Sequence, residues 1–227
     1  SVNGKSDINL LAGYIQDQAE INEHLQITTG LRLDRFKIQF KNHKDNTAFS
    51  RTDTMISPRA AIVLKPQKSL SLYTSYGVSY LPSSGEQFDS LDVTSESLKP
   101  EKVQNYEVGA KWDINPKLNI STAIFQLDRS NTPADDPNGS GNTVLTGKSR
   151  TRGIELAFTG KITNKWQTIA SYAFQDAVIT SATSNYSKGS KINLVPHNTF
   201  ALWNKYDVTE KWSASLGIIS QSAQYAD

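Results

Sequence analysis

Apolar and polar side chains alternate with a period of two along most of the chain. Between Leu70 and Tyr80 the even positions are mostly apolar (Leu70, Leu72, Tyr76, Val78, Tyr80), and the odd ones mostly small or polar. Tyr106, Val108, Ala110, Trp112 and Ile114 form one face of a later segment; Asn105, Glu107, Gly109, Lys111 and Asp113 form the other. Ile154, Leu156 and Phe158 alternate with Gly153, Glu155, Ala157 and Thr159, and Trp166, Thr168, Ala170, Tyr172 and Phe174 continue the habit. Successive side chains of a strand point to opposite faces, so the pattern predicts half-buried strands. No segment carries the 3.6-residue apolar period of an amphipathic helix.

The connections alternate in length. Short, turn-like links fall near Asn22 to His24, Pro66 to Ser69, Asn115 to Lys117, Thr163 to Lys165 and Asp207 to Lys211. Long polar links run from Lys41 to Thr54, Leu81 to Lys102, Ser130 to Ser149 and Ala177 to Val195. The third contains Asn-Thr-Pro-Ala-Asp-Asp-Pro-Asn-Gly-Ser-Gly-Asn, a composition that favours turns over a buried strand. The expected product is about ten strands, many of about 10 to 12 residues, against a usual 5 or 6 in globular sheets.

Hairpins repeating at about 45 residues suit two architectures, a β-propeller and a membrane β-barrel with short turns on one rim and long loops on the other. Strand length separates them. Eleven residues at about 3.3 Å each, tilted near 45°, rise about 25 Å, the height of the apolar band of an outer-membrane barrel. Propeller strands are shorter and come four to a period. Aromatic placement favours the barrel too: Trp112 sits just before a short turn, Trp166 and Trp212 just after one, and Tyr206 before the last of them. Such rings settle at the membrane–water interface. The expected wall therefore has one face toward lipid and the other, bearing Glu107, Glu155, Lys111 and Asn105, toward a hydrated lumen. Gly109 and Gly153 fall on that polar face, where they are expected to let the wall approach whatever fills the barrel.

Composition agrees. The apolar share is 37%, with 26 Ser, 19 Thr and 16 Asn, too polar for an ordinary two-sided core in 227 residues. Charge is nearly balanced, with 24 Lys plus Arg against 22 Asp plus Glu, so no basic stripe points to nucleic acid. Cysteine is absent, which excludes disulfides and cysteine-based zinc sites. The longest strictly apolar run, Ala60 to Leu64, is far shorter than a helical membrane span. The opening Ser-Val-Asn-Gly-Lys has no signal-peptide core and reads as the start of a mature protein or an excised piece.

Catalytic signals are sparse, and no enzyme is expected. His24, His43 and His197 are widely separated and lie in or beside turns, where solvated loop histidines belong. Asp135-Asp136 followed by Asn138 lacks the spacing and distal Glu of a calcium loop. Gly139-Ser140-Gly141 lacks the strand–helix context of a phosphate cradle. Two rivals stay open beside the barrel receptor: a soluble β-propeller interaction module and a small outer-membrane barrel enzyme of protease type.

Seven local motifs occur in a fixed order. They are Ile56-Ser57-Pro58-Arg59-Ala60-Ala61, Leu70-Ser71-Leu72-Tyr73-Thr74-Ser75-Tyr76, Leu98-Lys99-Pro100-Glu101-Lys102, Asn105-Tyr106-Glu107-Val108-Gly109-Ala110-Lys111, Ser149-Arg150-Thr151-Arg152-Gly153-Ile154-Glu155-Leu156, Ala170-Ser171-Tyr172-Ala173-Phe174 and Val195-Pro196-His197-Asn198. Together they resemble the C-terminal half of the barrel in TonB-dependent siderophore receptors, closest in look to the ferric-catecholate and ferrichrome types. The resemblance runs from about Tyr14 to Asp227. It implies an all-β, antiparallel transmembrane barrel of about 22 strands closed by a plug, of which residues 1–227 supply about ten strands. By that resemblance the plug, the segment that recruits TonB and a terminal aromatic strand are expected to be absent from this chain. The resemblance further implies residence in the bacterial outer membrane, contact with its lipid, import of a ferric siderophore as cargo with no cofactor, and energy from the TonB complex acting through the plug. Long links would face outward and short turns the periplasm. Siderophore chelates are commonly anionic, so Arg150, Arg152, Tyr80 and Phe88 are the candidate ligand contacts. The alternative for Arg152 is a structural pair with Glu155 or Glu107.

Overall fold

The structure is a computed structural model that describes residues 4–43, 46–82, 99–135, 143–182 and 186–224. It forms one ten-stranded antiparallel sheet in sequence order: β1 (Gly4–Asn22), β2 (Leu25–Asn42), β3 (Ala48–Gln67), β4 (Leu70–Leu81), β5 (Glu101–Asn115), β6 (Leu118–Asp135), β7 (Thr143–Lys161), β8 (Trp166–Ile179), β9 (Asn198–Asp207) and β10 (Ser213–Gln221). The continuous meander excludes the four-stranded blades of a propeller. β1 pairs only with β2 and β10 only with β9, so these ten strands do not close on themselves as a small barrel would. Among the described residues no helix is long and apolar enough to cross a membrane.

The strands are longer than the alternation alone suggests. β1, β2, β3, β6 and β7 run 18 to 20 residues, and the expected links 41–54 and 130–149 shrink because their polar flanks continue the ladder. Backbone pairing in water needs no apolar face, so two strands leaving the apolar band can go on as a hydrated hairpin.

Register fixes the faces. Cross-strand neighbours share a face, and one row reads Ile27–Ile62–Thr74–Val108–Ile124–Ile154–Phe174 from β2 to β8. A second reads Leu25–Leu64–Leu72–Ala110–Thr122–Leu156–Tyr172–Phe200, ending on β9. Most of their large side chains are exposed, Val108 by 60% and Ile124 by 62%. An exposed apolar belt of this width is what lipid, not water, covers.

The upper edge of that belt slants. Relative to the Ile27–Phe174 row, the last apolar outward residue lies three rows up on β2 and β3 (Leu33, Ile56). On β6 and β7 it lies in the row itself, and on β10 two rows down (Ile218). Five rows are about 33 Å of strand, crossed over eight spacings of about 4.8 Å, which puts the strands about 40° from the normal of the apolar band. That is the tilt of outer-membrane barrels. The opposite edge carries aromatics: Trp112, Trp166 and Tyr206 share the outward face and are 45%, 38% and 49% exposed.

The inward face is mixed. Tyr73 donates a hydrogen bond to Glu107 Oε1 at 2.5 Å, and Lys111 Nζ stands 5.7 Å from the Tyr73 ring centre. Gly109 and Gly153 have a more local purpose than expected from sequence. A Cβ on Gly109 would come 2.5 Å from the Tyr73 ring and one on Gly153 2.5 Å from the Phe125 ring. Each glycine is the cross-strand partner of that aromatic and makes room for its ring.

Candidate functional site

Where β2 and β3 rise past the apolar belt, the side chains that face inward change character. Outward apolar residues on β2 are odd-numbered up to Leu33; beyond it Arg35, Lys37 and Lys41 continue that face. Phe36, Ile38 and Phe40 turn instead to the inward face, where they cluster, buried, with Met55 of β3. No register shift interrupts β2 here, so the switch belongs to the sequence. β3 and β4 stop pairing above Arg59↔Gly77, and Tyr80 of β4 packs against the cluster.

Beside the cluster lies a cavity of about 850 Å³ lined by Tyr14, Arg32, Phe36, Arg59 and Tyr80 among others. Arg32 is held by Asp34 in a two-pronged pair, Nε to Oδ2 2.8 Å and Nη2 to Oδ1 2.7 Å. Arg59 lies across Gly30, its cross-strand partner, with Nε 2.9 Å from where a Cβ on that glycine would stand. Aromatic rings, an aliphatic floor and two guanidinium groups can grip a flat, anionic ligand by stacking and charge-assisted hydrogen bonds.

Of the four ligand candidates taken from sequence, Tyr80 lines this cavity and Phe88 lies outside the described residues. Arg150 and Arg152 are elsewhere. Both continue the face of Ile154 and Leu156, opposite to Glu107 and Glu155. The structural pairing expected for Arg152 is therefore corrected: Glu155 and Glu107 sit on the other side of the wall, and Arg152 Nε donates to Gln126 Oε1 at 2.8 Å. Arg150 pairs with Asp128 at 2.6 Å. Parity alone could have shown this, because 150 and 152 share the even numbering of the lipid-facing residues on β7.

Two of the three histidines, His24 and His197, are tied to backbone. His24 Nδ1 is 2.8 Å from Lys65 O and His197 Nδ1 3.0 Å from Gln175 O. Among the described residues no group of three His, Asp or Glu is placed to hold a metal ion; Asp136, Asn138 and the Gly139-Ser140-Gly141 stretch lie outside them.

A tilted, antiparallel sheet with an apolar outward belt, an aromatic edge and a polar inner face is the wall of an outer-membrane β-barrel. The chain belongs to the TonB-dependent receptor-like β-barrel family, whose model matches residues 1–227. It is 29% identical over 98% of its length to a probable TonB-dependent receptor, BfrD, of Bordetella pertussis, covering 31% of that protein. It is 28% identical over 94% of its length to a probable TonB-dependent siderophore receptor, PiuA, of Acinetobacter baumannii, again covering 31%. The crystal structure of PiuA superposes with a TM-score of 0.85 over 96% of this chain and 34% of that one, at 25% identity. The unliganded ferric citrate transporter FecA matches with the same TM-score over the whole chain and 34% of its own, at 21% identity, a likeness of fold. The chain thus spans about a third of the length of the relatives it matches.

Proposed function

We propose that residues 1–227 form one stretch of the barrel wall of a TonB-dependent outer-membrane receptor that imports a ferric siderophore. The plug and the segment that engages TonB are supplied by other parts of the same protein. The observation that carries the reading is the family match along the whole chain, on a sheet whose two faces divide lipid from water. The long-link rim faces outward. There the cavity between Arg32, Arg59, Phe36 and Tyr80 samples the anionic chelate. Arg150 and Arg152 face outward from the wall and are assigned to the lipid side. The siderophore is cargo: the barrel binds and passes it, and the TonB complex supplies the energy.

Growth of cells deleted for the full-length receptor, with single ferric siderophores as the iron source, tests this reading. Growth on at least one siderophore should fail and return with the restored receptor, and Arg59→Glu should weaken that rescue. Deletion without effect on any siderophore of a catecholate and hydroxamate panel would overturn it.

A further inference from the structure

We propose that the cavity beside Arg59 takes an amphiphilic ferric chelate, its anionic head on Arg59 and its acyl tail lying along a split in the wall between β3 and β4. The inference rests on the reading of this cavity as the chelate site and adds the class of cargo.

Three observations converge. One is the backbone. β3 and β4 pair from Leu64↔Leu72 up to Arg59↔Gly77 and stop there. Lys65 N–H donates to His24 O on the β2 side, and Asp113 N–H of β5 donates to Ser69 O beside β4. Backbone groups alternate in direction along a strand, so the even residues of β3 and β4 point at each other. The next rung would join Pro58 to Val78, and proline has no N–H to give it. Above that point Ala48 to Ser57 pair with β2 and Val78 to Leu81 with β5, with no rung between the two sets among the described residues.

The lining is the second. The cavity of about 850 Å³ touches both sides of the split, at Met55, Ser57 and Arg59 of β3 and at Val78, Ser79 and Tyr80 of β4. Its chemistry divides in two. At the lower end Arg32 is matched by Asp34, whereas no carboxylate pairs with Arg59 among the described residues. At the upper end Phe36 and Met55 are buried with Tyr80 packed against them, and Val78 is buried too. The free guanidinium suits an anionic chelate. The aliphatic end has no donor or acceptor for such a head and suits hydrocarbon.

Height is the third. Leu33 and Ile56, cross-strand partners, are the last apolar outward residues on β2 and β3, and Pro58 stands one row below Ile56 on the same face. The split therefore opens at the upper edge of the apolar belt, where hydrocarbon gives way to headgroups. An acyl-tailed solute lies at that depth, tail in lipid and head toward water.

Full-length receptor in lipid nanodiscs, titrated with paired ferric chelates, tests the inference. The two members of a pair share a catecholate or hydroxamate head and differ in one amide, hexanoyl against acetyl. Binding is read as quenching of tryptophan fluorescence, corrected with receptor-free discs. For at least one head the hexanoyl member should bind about tenfold more tightly than the acetyl member. Val78→Asp should bring that ratio close to one, and the near-isosteric Val78→Thr should lower it in part. Arg59→Glu should weaken both members. Hexanoylglycine, which has the tail and no chelate, should not displace the hexanoyl chelate. Equal binding within every pair that binds overturns the amphiphilic cargo and leaves the chelate reading standing. A ratio unchanged in both Val78 variants, or displacement by hexanoylglycine at equal concentration, also overturns it. Binding of no chelate by the unsubstituted receptor overturns the chelate reading and this inference together.

Discussion

Three glycines on the inward face sit opposite aromatic residues: Gly109 opposite Tyr73, Gly153 opposite Phe125 and Gly217 opposite Trp203. In each pair the ring occupies the space a Cβ would need, at 2.5 to 2.6 Å. A larger side chain must push the ring off its rotamer, so Gly153→Val should destabilise by about 1 to 3 kcal/mol in urea unfolding from lipid vesicles. Phe125→Leu in the same chain should return part of that loss, a coupling that a double-mutant cycle reads directly. Gly77→Ala is the contrast. Nothing lies within 4 Å of its Cβ position, so the change should be neutral or stabilise by up to about 1 kcal/mol. Sequence placed Gly109 and Gly153 on the inward face but not their partners, because a cross-strand neighbour depends on register, which periodicity leaves free.

At the scale of the strand, alternation was highly legible wherever one face meets lipid and the other water. The Leu70–Tyr80, Asn105–Ile114 and Gly153–Thr159 patterns all fall inside observed strands with the expected parity. Legibility failed above the belt. On β2 the apolar residues change from odd to even between Leu33 and Phe36, because beyond the membrane the apolar side chains pack inward, with Met55, instead of facing lipid. The same change of environment hid the strand ends, which continue as hydrated hairpins; β7 keeps its parity, so Arg150 and Arg152 stay on the even face of Ile154 and Leu156. Within the belt the two faces should respond unequally to charge. Leu156→Arg or Tyr172→Arg, on exposed outward positions 47% and 40% accessible, should cost about 2 to 4 kcal/mol if near the midplane. Ser171→Arg, on the inward face of β8, should cost much less in the same vesicle unfolding assay. Equal costs would mean that alternation does not divide lipid from water.

For the whole molecule, the slanting upper edge of the belt is the feature that joins sequence to architecture. No single strand reveals a tilt; it emerges only when register aligns ten strands and the apolar limit descends from Leu33 on β2 to Ile218 on β10. A tilt near 40° is inherited from the closure of a complete barrel, and the free edges of β1 and β10 call for neighbours, since unpaired backbone groups are costly against hydrocarbon. The division of faces on which all of this depends can be measured directly. Nitroxide labels placed one at a time at cysteines substituted along β7, from Arg150 to Thr159, in a full-length receptor otherwise free of cysteine and reconstituted in vesicles, report collision with oxygen dissolved in lipid and with a nickel chelate in water. Oxygen access should peak at positions 154, 156 and 158, chelate access at 153, 155 and 157, with the lipid signal fading at 152 and 150. Chelate access without a two-residue period, or with the two sets exchanged, would contradict the account.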